Sequence, residues 1–171
     1  MLRLFVLFAA AAIAGCASSG ATPQPFPTGR PAPPSAASAS PSPAAPALGA
    51  GGYAVAGTAL SLRGSPYRNG GTDLNGFDCS GFVSYVFGQH GYAVPRSVGG
   101  LFRVGQEVAA DAIQPGDLVF FETAGRGPSH VGIAVGGDQF VHAPSTKGVV
   151  RVDRMAGTYW AARFLGARRL N

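Results

Sequence analysis

Cys79 is the residue of this sequence whose surroundings most strongly suggest chemistry. It lies between Asp78 and Ser80 at the head of an apolar run, and the chain has only one other cysteine. If a helix starts here, its unpaired amide groups and its dipole favour a negative charge on the sulfur and lower the pKa of the thiol. The alternative is that Cys79 is a small, buried core residue. We predict a reactive thiolate that attacks carbonyl carbon atoms.

A nucleophilic cysteine needs a base within hydrogen-bonding reach, and a third group must orient that base. His130 opens the apolar segment HVGIAV, and His142 lies in the next segment, FVHAP. A hairpin turn at residues 136–138 would bring the two almost opposite each other on one face. We therefore predict a working pair of histidines rather than two separate structural ones. The third histidine, His90, is expected to cap backbone carbonyls at a helix end.

Two helices are predicted to precede the sheet. Residues 54–64 (AVAGTALSLRG) are helix-prone and end at a glycine, and residues 65–71 (SPYRNGG) form a turn. The second helix has Asp78 as its N-cap. Its apolar residues follow at helical spacing and are Phe82, Val83, Val86 and Phe87. Cys79 therefore falls in the first turn of a buried helix.

The second half of the sequence changes to the alternating pattern of strands. Five segments carry this pattern: QPGDLVFF, SHVGIAVGG, DQFVHAP, GVVRVD and YWAARFLGARRL. Helices followed by several strands with short connections predict an α+β fold. In this fold the N-terminal helices pack on a mainly antiparallel β-sheet.

The N-terminus is predicted to direct export and lipidation. Arg3 precedes the apolar stretch LFVLFAAAAIA, which is shorter than the about 20 residues that a membrane-spanning helix needs. The stretch ends in IAGC, which resembles the bacterial lipobox, where the cysteine is acylated after cleavage. We predict a signal peptide over residues 1–15 and a lipid on Cys16, with an ordinary secretory peptide as the alternative. Ala17 after the cysteine resembles outer-membrane sorting.

Residues 16–52 are predicted to form a disordered tether. Ala, Pro, Ser and Gly dominate the segment and Arg30 is its only charged residue, so it can bury little surface. The folded domain then covers residues 53–171. With Cys16 lipidated, Cys79 is the one thiol left in an oxidising compartment and has no cysteine to pair with. An unpaired exported thiol favours the reactive interpretation.

The charge balance favours an acidic extracellular partner over nucleic acid. The chain has 13 basic and 8 acidic residues, which gives a formal net charge of +5 at pH 7. The arginines are scattered along the domain rather than clustered, and the chain is predicted to be exported. We therefore expect no nucleic-acid partner.

Six short segments together indicate a family. They are GSPYRNGG, GFDCSGFV, VPRS, QPGDLVFF, SHVGIAVG and FVHA. In this order and spacing they resemble the NlpC family of bacterial cell-wall cysteine endopeptidases, over essentially all of residues 60–170. The resemblance implies a papain-like fold.

The resemblance also implies catalytic roles. Cys79 would be the nucleophile, and His130 the general base that takes its proton and later protonates the leaving amine. His142 would be the third polar residue, which orients the base. Protonated His142 could not accept the N–H of His130 and would repel an imidazolium. Activity is therefore expected to decline in mild acid.

Further residues match the family motifs. The Tyr67 hydroxyl, with the backbone N–H of the nucleophile, would stabilise the oxyanion. Asp78 and Ser80 would cap the helix and line the cleft. The chain departs from the family in PRSVGGLFRVGQ, where relatives commonly continue with a helical turn that leads to a glutamine. Gly99 and Gly100 each weaken such a turn by up to about 1 kcal/mol.

The implied substrate is the peptide stem of peptidoglycan, cut through an acyl-enzyme at the D-Ala–diaminopimelate or the γ-D-Glu–diaminopimelate bond. The stem carries several carboxylates, which suits the mild positive charge. A lipobox, a tether and a single catalytic domain resemble the cross-link-cutting murein endopeptidases. The expected location is the cell envelope, lipid-anchored at the periplasmic face of the outer membrane. An adaptor lipoprotein or a regulatory protease is a further candidate partner.

Two other readings remain at this point. Cys79, His130 and His142 could supply three zinc ligands with an open fourth position, although no two of them have close ligand spacing. We expect no metal and no cofactor. The protein could also be a non-catalytic lipoprotein that binds peptidoglycan, against which the complete set of Cys, His, His and Tyr argues.

Overall fold

The computed structural model describes residues 48–170. The predicted signal peptide, the predicted lipidation site Cys16 and residues 17–47 of the predicted tether lie outside this range. The helices are α1 (Leu48–Ser61), α2 (Cys79–Gln89), α3 (Val98–Leu101) and α4 (Thr158–Ala161). The strands are β1 (Thr72–Asp73), β2 (Gly76–Phe77), β3 (Gln106–Val108), β4 (Leu118–Phe121), β5 (His130–Gly136), β6 (Gln139–His142), β7 (Arg151–Arg154) and β8 (Phe164–Arg169). None of these helices is both long and apolar enough to span a bilayer.

Helix α1 begins earlier than predicted. It starts at Leu48, so the last five residues assigned to the tether, 48–52, are helical. The Gly-rich composition there indicated flexibility, but Gly52 serves packing. A Cβ atom on Gly52 would lie 2.2 Å from the carbonyl oxygen of Pro115, so only glycine lets the helix approach the 115–116 turn this closely. The folded domain therefore extends N-terminally beyond residue 53.

The large sheet is antiparallel throughout and has the strand order β3-β8-β4-β5-β6-β7. Four of the predicted strands form the meander β4 to β7, as expected. The last segment behaves differently from the prediction: its first part forms helix α4, and β8 then inserts between β3 and β4. Strand β3 was not predicted, because its sequence QEV has no alternating pattern of its own and depends on pairing with β8.

The sheet has an apolar cluster on each face. Helices α1 and α2 both pack on β5, and their buried side chains join those of Phe120, Ile133 and Val141. The second cluster is built around Phe121 and Phe140, and α4 covers it with Trp160. Because side chains alternate along a strand, the residues at even and odd positions of β5 and β6 are divided between these two faces.

The predicted weakness of the PRSVGGL turn did not prevent a helix. Residues 98–101 form the single turn α3, and the Ser97 side chain accepts a hydrogen bond from the Gly100 N–H. A cap of this type stabilises a helix start by about 1 kcal/mol, which offsets the cost of a glycine. Gln106 lies in β3 and is exposed.

The buried side chain of Asp117 links the turn before β4 to Arg169 of β8. Its side chain accepts two hydrogen bonds from Arg169 at 2.7 Å each and one from the Gln114 N–H at 2.8 Å. We expect Asp117→Ala to lower the free energy of unfolding by about 2 kcal/mol, because charged donors lose their acceptor. Urea unfolding measures this, with Asp111→Ala at an exposed site as the matched control. Equal stability of the two variants would mean that the ion pair contributes nothing.

Candidate active site

Cys79 is the first residue of α2, as predicted. Asp78 is the N-cap, and its side chain accepts a 2.7 Å hydrogen bond from the Gly81 N–H. Gly81 has no room for a side chain, since a Cβ atom there would lie 1.9 Å from the carbonyl oxygen of Gly71. The helix start is therefore held both by the cap and by close packing against the loop before β1. Cys79 itself is a free, half-buried thiol.

Arg96 completes the structure around the helix start. Its guanidinium donates to both oxygens of Asp78, at 2.9 Å and 2.6 Å, and to the Ser80 hydroxyl at 2.7 Å. Burial alone would raise the pKa of Asp78, but the hydrogen bonds from Arg96 and the Gly81 N–H outweigh burial and lower it. Asp78 is therefore an ionised cap. Arg96 lies in the segment VPRS, one of the six that resemble the family, but no role was predicted for it.

The thiol is not activated in the way the sequence suggested. Burial raises the pKa of Cys79, and the negative charge of Asp78 raises it further. Backbone N–H groups, those of Ser80 and Val131 among them, act in the opposite direction without reversing the shift. The helix start alone was expected to produce a thiolate, and this expectation is wrong because it left out desolvation and the neighbouring carboxylate. The contact with Val131 brings the sulfur to the beginning of β5, next to His130.

A raised pKa makes the resting thiol a slow nucleophile toward simple alkylating agents. We expect the rate of Cys79 carbamidomethylation by iodoacetamide to keep rising from pH 7 to beyond pH 9, because the thiolate fraction is small at neutrality. Mass spectrometry of the peptide that contains Cys79 measures the rate, with an unstructured cysteine peptide as the reference. A rate that is already at its plateau at pH 7 would contradict the prediction and indicate a preformed thiolate.

His130 and His142 lie in direct contact. The Nε2 atom of His130 is 2.7 Å from the Nδ1 atom of His142, and both rings are buried. The predicted neighbourhood is confirmed, but the register differs: Ile133 pairs with Val141, so the histidines are diagonal rather than opposite. Gly132 makes this contact possible. A Cβ atom on Gly132 would lie 2.6 Å from the Phe140 ring and 3.1 Å from the Cβ atom of His142.

Asp153 on β7 contacts the other ring nitrogen of His142. Its Oδ2 atom is 3.1 Å from Nε2 of His142 and also accepts a 3.2 Å hydrogen bond from the Trp160 indole. Its Oδ1 atom accepts a 2.9 Å hydrogen bond from Nε of Arg151, and Nη2 of the same arginine lies 2.7 Å away in an ion pair. Trp160 in turn stacks on the ring of His130, with centroids 5.4 Å apart. His130, His142 and Asp153 therefore form a line of contacts across three neighbouring strands. Cys79 lies at the β5 end of this line through its contact with the Val131 backbone, and no hydrogen bond joins its sulfur to the His130 ring within residues 48–170.

Both histidines are held neutral. Burial lowers the pKa of His130 to about 3, and the charge of His142 adds to this effect. Burial also lowers the pKa of His142 to about 4, although Asp153 acts in the opposite direction. The expectation that the pair becomes charged in mild acid is therefore wrong. Protonation requires clearly lower pH, because the rings lack water to solvate the charge.

Tyr67 lies near Cys79 and Asp78. Burial raises the pKa of its hydroxyl, and the charges of Cys79 and Asp78 raise it further, which puts the phenol within electrostatic reach of both. The neutral hydroxyl is available as a hydrogen-bond donor. Its backbone is fixed by a 2.7 Å hydrogen bond from the Tyr67 N–H to the Gly148 carbonyl and by a bridge to Phe77.

His90 takes no part in this site. It is the C-cap of α2, but its side chain bonds to the Thr58 hydroxyl at 2.9 Å and so links α2 to α1. The predicted capping of carbonyls is made by its backbone N–H instead.

The donor set does not suit zinc. His130 and His142 direct one nitrogen each at the other at hydrogen-bonding distance. These two nitrogens are therefore used in the contact between the rings and do not converge on a metal ion. Within residues 48–170 no cluster of three or more His, Cys, Asp or Glu side chains has the geometry of a metal site.

Two adjoining cavities open beside His130. The first, of about 150 Å³, is bordered by His130, Thr123 and Ser145, and the second, of about 430 Å³, leads on to Lys147 and Arg151. The two share the same walls, which are Pro144, Thr146, Tyr159 and Trp160. Together they form a trough with aromatic walls that begins at the imidazole and ends at Lys147 and the Arg151–Asp153 ion pair.

Sequence reasoning singled out Cys79 and both histidines but missed Arg96, Asp153 and Trp160. A signal for Asp153 was present, since it lies on the strand after His142 and at the parity that places both on one face. Trp160 and Arg96 reach the site from a short helix and a loop, whose positions no sequence period gives.

Comparison with known proteins identifies the domain. The NlpC/P60 family model matches residues 64–169. The probable peptidoglycan endopeptidase LytE of Bacillus subtilis is 40% identical over 111 residues, which are 65% of this chain and 32% of LytE. The murein DD-endopeptidase MepS/murein LD-carboxypeptidase of Escherichia coli K12 is 41% identical over 109 residues, 63% of this chain and 57% of the relative. The match thus spans about a third of LytE and somewhat more than half of MepS.

The solved NlpC/p60 domain of the peptidoglycan hydrolase SagA has a similar structure. It superposes with a TM-score of 0.60 at 36% identity and covers 70% of this chain and 98% of the SagA domain. NlpC/P60 domains are papain-like, so the predicted α+β, papain-like fold is confirmed.

Proposed function

Because the chain belongs to the NlpC/P60 family, we propose that it is a peptidoglycan endopeptidase that uses Cys79 as its nucleophile. The observation that supports the proposal is the buried His130–His142 contact at the start of β5, where the Val131 backbone also reaches the Cys79 sulfur. His130 uses Nε2 toward His142, which leaves its Nδ1 atom for the thiol proton. A thiol with a base behind it, and that base held by a third group, is the arrangement that covalent acyl transfer requires.

The first half of the reaction forms an acyl-enzyme. At neutral pH the thiol and the imidazole are both uncharged, so the proton moves from sulfur to His130 Nδ1 as the sulfur attacks the amide carbon. The carbonyl oxygen becomes an oxyanion, stabilised by the Cys79 N–H and the Tyr67 hydroxyl. The C–N bond then breaks, His130 gives its proton to the leaving amine, and a thioester remains.

The second half consumes a water molecule. Water gives a proton to His130 and attacks the thioester carbon, and the C–S bond breaks as His130 returns the proton to the sulfur. The products are a free carboxylate and a free amine, and the enzyme is regenerated. Tyr67 with its raised pKa remains protonated through the cycle and can donate in both halves.

The position of the base indicates where the leaving group lies. His130 must reach the leaving nitrogen, so the part of the substrate that carries this nitrogen occupies the trough along Trp160 and Tyr159. Lys147 at its far end, beside the Arg151–Asp153 ion pair, suits a carboxylate of diaminopimelate. The proposed bonds are the D-Ala–diaminopimelate cross-link or the γ-D-Glu–diaminopimelate bond, and the likeness to MepS favours the cross-link.

We also propose that the protein acts from a membrane anchor. A lipid on Cys16 would hold the domain at the periplasmic face of the outer membrane. Residues 17–47 would be the tether that spans the distance to the cell wall. The lipobox resemblance supports this location. An adaptor lipoprotein or a regulatory protease is the kind of partner that would control such an enzyme.

Digestion of purified peptidoglycan tests the proposed function. Mass spectrometry of the released muropeptides identifies which amide bond is cut, and prior alkylation at Cys79 should prevent the release. The proposal fails if intact protein binds peptidoglycan and releases no fragment, which is the behaviour of the non-catalytic lipoprotein considered from the sequence. Loss of activity with a chelator but not after alkylation would instead indicate a metal enzyme.

A further inference from the structure

The carboxylate of Asp153 ends a line of contacts that crosses three strands on one face of the sheet. His130 lies on β5, His142 on β6 and Asp153 on β7, and each contact is a diagonal step. In the β6–β7 ladder Phe140 pairs with Asp153, and His142 pairs with Arg151. The diagonal places the Asp153 carboxylate at His142 Nε2, on the side of the ring away from His130.

Apart from His142, the hydrogen-bond partners of Asp153 are groups that can only donate. Arg151 and Trp160 have N–H donors and no acceptor, and an ionised carboxylate has acceptors and no donor. The His142 ring is the one partner whose role is open, since either of its nitrogens can carry the proton. Against a carboxylate, the proton must be on Nε2.

We propose that Asp153 is a positioning residue that fixes the proton positions of both histidines. With the proton of His142 on Nε2, its Nδ1 has a lone pair and accepts from His130 Nε2–H at 2.7 Å. The proton of His130 is then on Nε2, which leaves a lone pair on Nδ1, the nitrogen that must take the thiol proton. With the opposite tautomers, the base would face the thiol with an N–H and could not act.

Asp153 also compensates for a disadvantage of histidine as the third member of a catalytic triad. A neutral imidazole orients a neighbour less strongly than a carboxylate does, but here a carboxylate stands one step behind it. When His130 takes the thiol proton, positive charge develops in a buried place, and Asp153 compensates it through His142. Asp153 itself receives no proton in this scheme, and it acts on the reaction through His142 although it also borders the second cavity.

The expected effect of Asp153 on catalysis rests on the proposed function. The proton positions of His130 and His142 can be measured without substrate. Long-range ¹H–¹⁵N spectra of the full-length protein distinguish Nδ1–H from Nε2–H in neutral imidazole. We expect His130 and His142 both as Nε2–H near pH 7. In Asp153→Asn the amide can turn its NH₂ toward His142, so we expect His142 to change wholly or partly to the Nδ1–H form.

The kinetic consequence follows from that change. We expect Asp153→Asn to lower kcat on muropeptides by about 10- to 100-fold with KM within about twofold, as is usual when the partner of a catalytic group is lost. Asp153→Glu keeps a carboxylate and should restore a large part of the rate. Asp138→Asn is the matched control, because this half-buried aspartate pairs with Arg154 and lies outside the site.

Two results would overturn the proposal. One is an Asp153→Asn protein that keeps both histidines as Nε2–H. The other is an Asp153→Asn protein whose tautomers change while kcat on muropeptides stays at the wild-type value. If the wild-type protein releases no muropeptide while its histidines show the expected tautomers and the variant changes them, the proposed function fails and the assignment of Asp153 stands.

Discussion

Replacing Cys79 with alanine is expected to lower the release of muropeptides by more than about 10³-fold while the fold is retained. The reason is chemical, since no other residue can form the acyl-enzyme once the sulfur is gone, and groups that act as a unit lose nearly everything when the nucleophile is removed. The change removes one half-buried atom at the start of α2, where Asp78 and Gly81 maintain the helix. Mass spectrometry of digested peptidoglycan gives the rate.

The matched control for this variant lies on the same helix. Ser84→Ala also replaces a small polar side chain by alanine, and the Ser84 hydroxyl is buried without a hydrogen-bond partner within residues 48–170. Removing such a group costs little, so this variant should have wild-type activity and equal or higher stability. Unchanged muropeptide release by Cys79→Ala would exclude the cysteine peptidase, whereas equal losses in both variants would indicate damage to α2.

Lowering the pH from 7 to 4.5 is expected to destabilise the fold strongly before it removes activity. The pKa of His130 is about 3 and that of His142 about 4 in the folded protein, against about 6.5 in an unfolded chain. The unfolded state therefore binds more protons over this window, and stability is lost as the pH falls below 6.5. At pH 4.5 we expect a loss of about 2 kcal/mol for each histidine.

Thermal unfolding measures this loss. For a domain of this size about 4 kcal/mol corresponds to a fall in Tm of more than about 10 °C. Turnover at 25 °C should change little between pH 7 and pH 5.5, because both rings stay neutral while the protein is folded. The carboxylates with lowered pKa, such as Asp78, also lose stabilisation in acid, but below their ordinary pKa of 3.8.

A His142→Asn variant provides the control for the acid effect. It lacks one of the two titrating rings, so the Tm should fall about half as far between pH 7 and pH 4.5. A wild-type Tm that is flat over this range would mean that the histidines titrate normally in the folded protein. Activity that falls with an apparent pKa near 6.5 would lead to the same conclusion.

Local signals in the sequence were sufficient for the elements that hold the nucleophile. Asp78 as N-cap and the apolar spacing of α2 depend on residues within one or two turns, so Cys79 could be placed at the helix start. Strands β5 and β6 are apolar segments joined by a tight turn at residues 137–138, which made the contact between His130 and His142 predictable. The diagonal register was not predictable, because the irregularity between Ala134 and Gly136 shifts the pairing.

The parts that sequence could not give depend on distant contacts. Helix α1 begins at Leu48 because Gly52 fits against Pro115, more than 60 residues away. The thiol pKa depends on burial, which no local pattern reports, and so the expected thiolate was wrong. Arg96 bonds to a side chain that precedes it by 18 residues, in a loop without periodicity.

The position of Trp160 has an experimental consequence. It is the only tryptophan of the sequence, and its indole contacts His130, His142 and Asp153 at once. Protonated imidazole quenches indole emission, whereas neutral imidazole does so weakly. The intrinsic fluorescence of this protein is therefore an optical readout of the ionisation state at its centre, obtained in solution without labels.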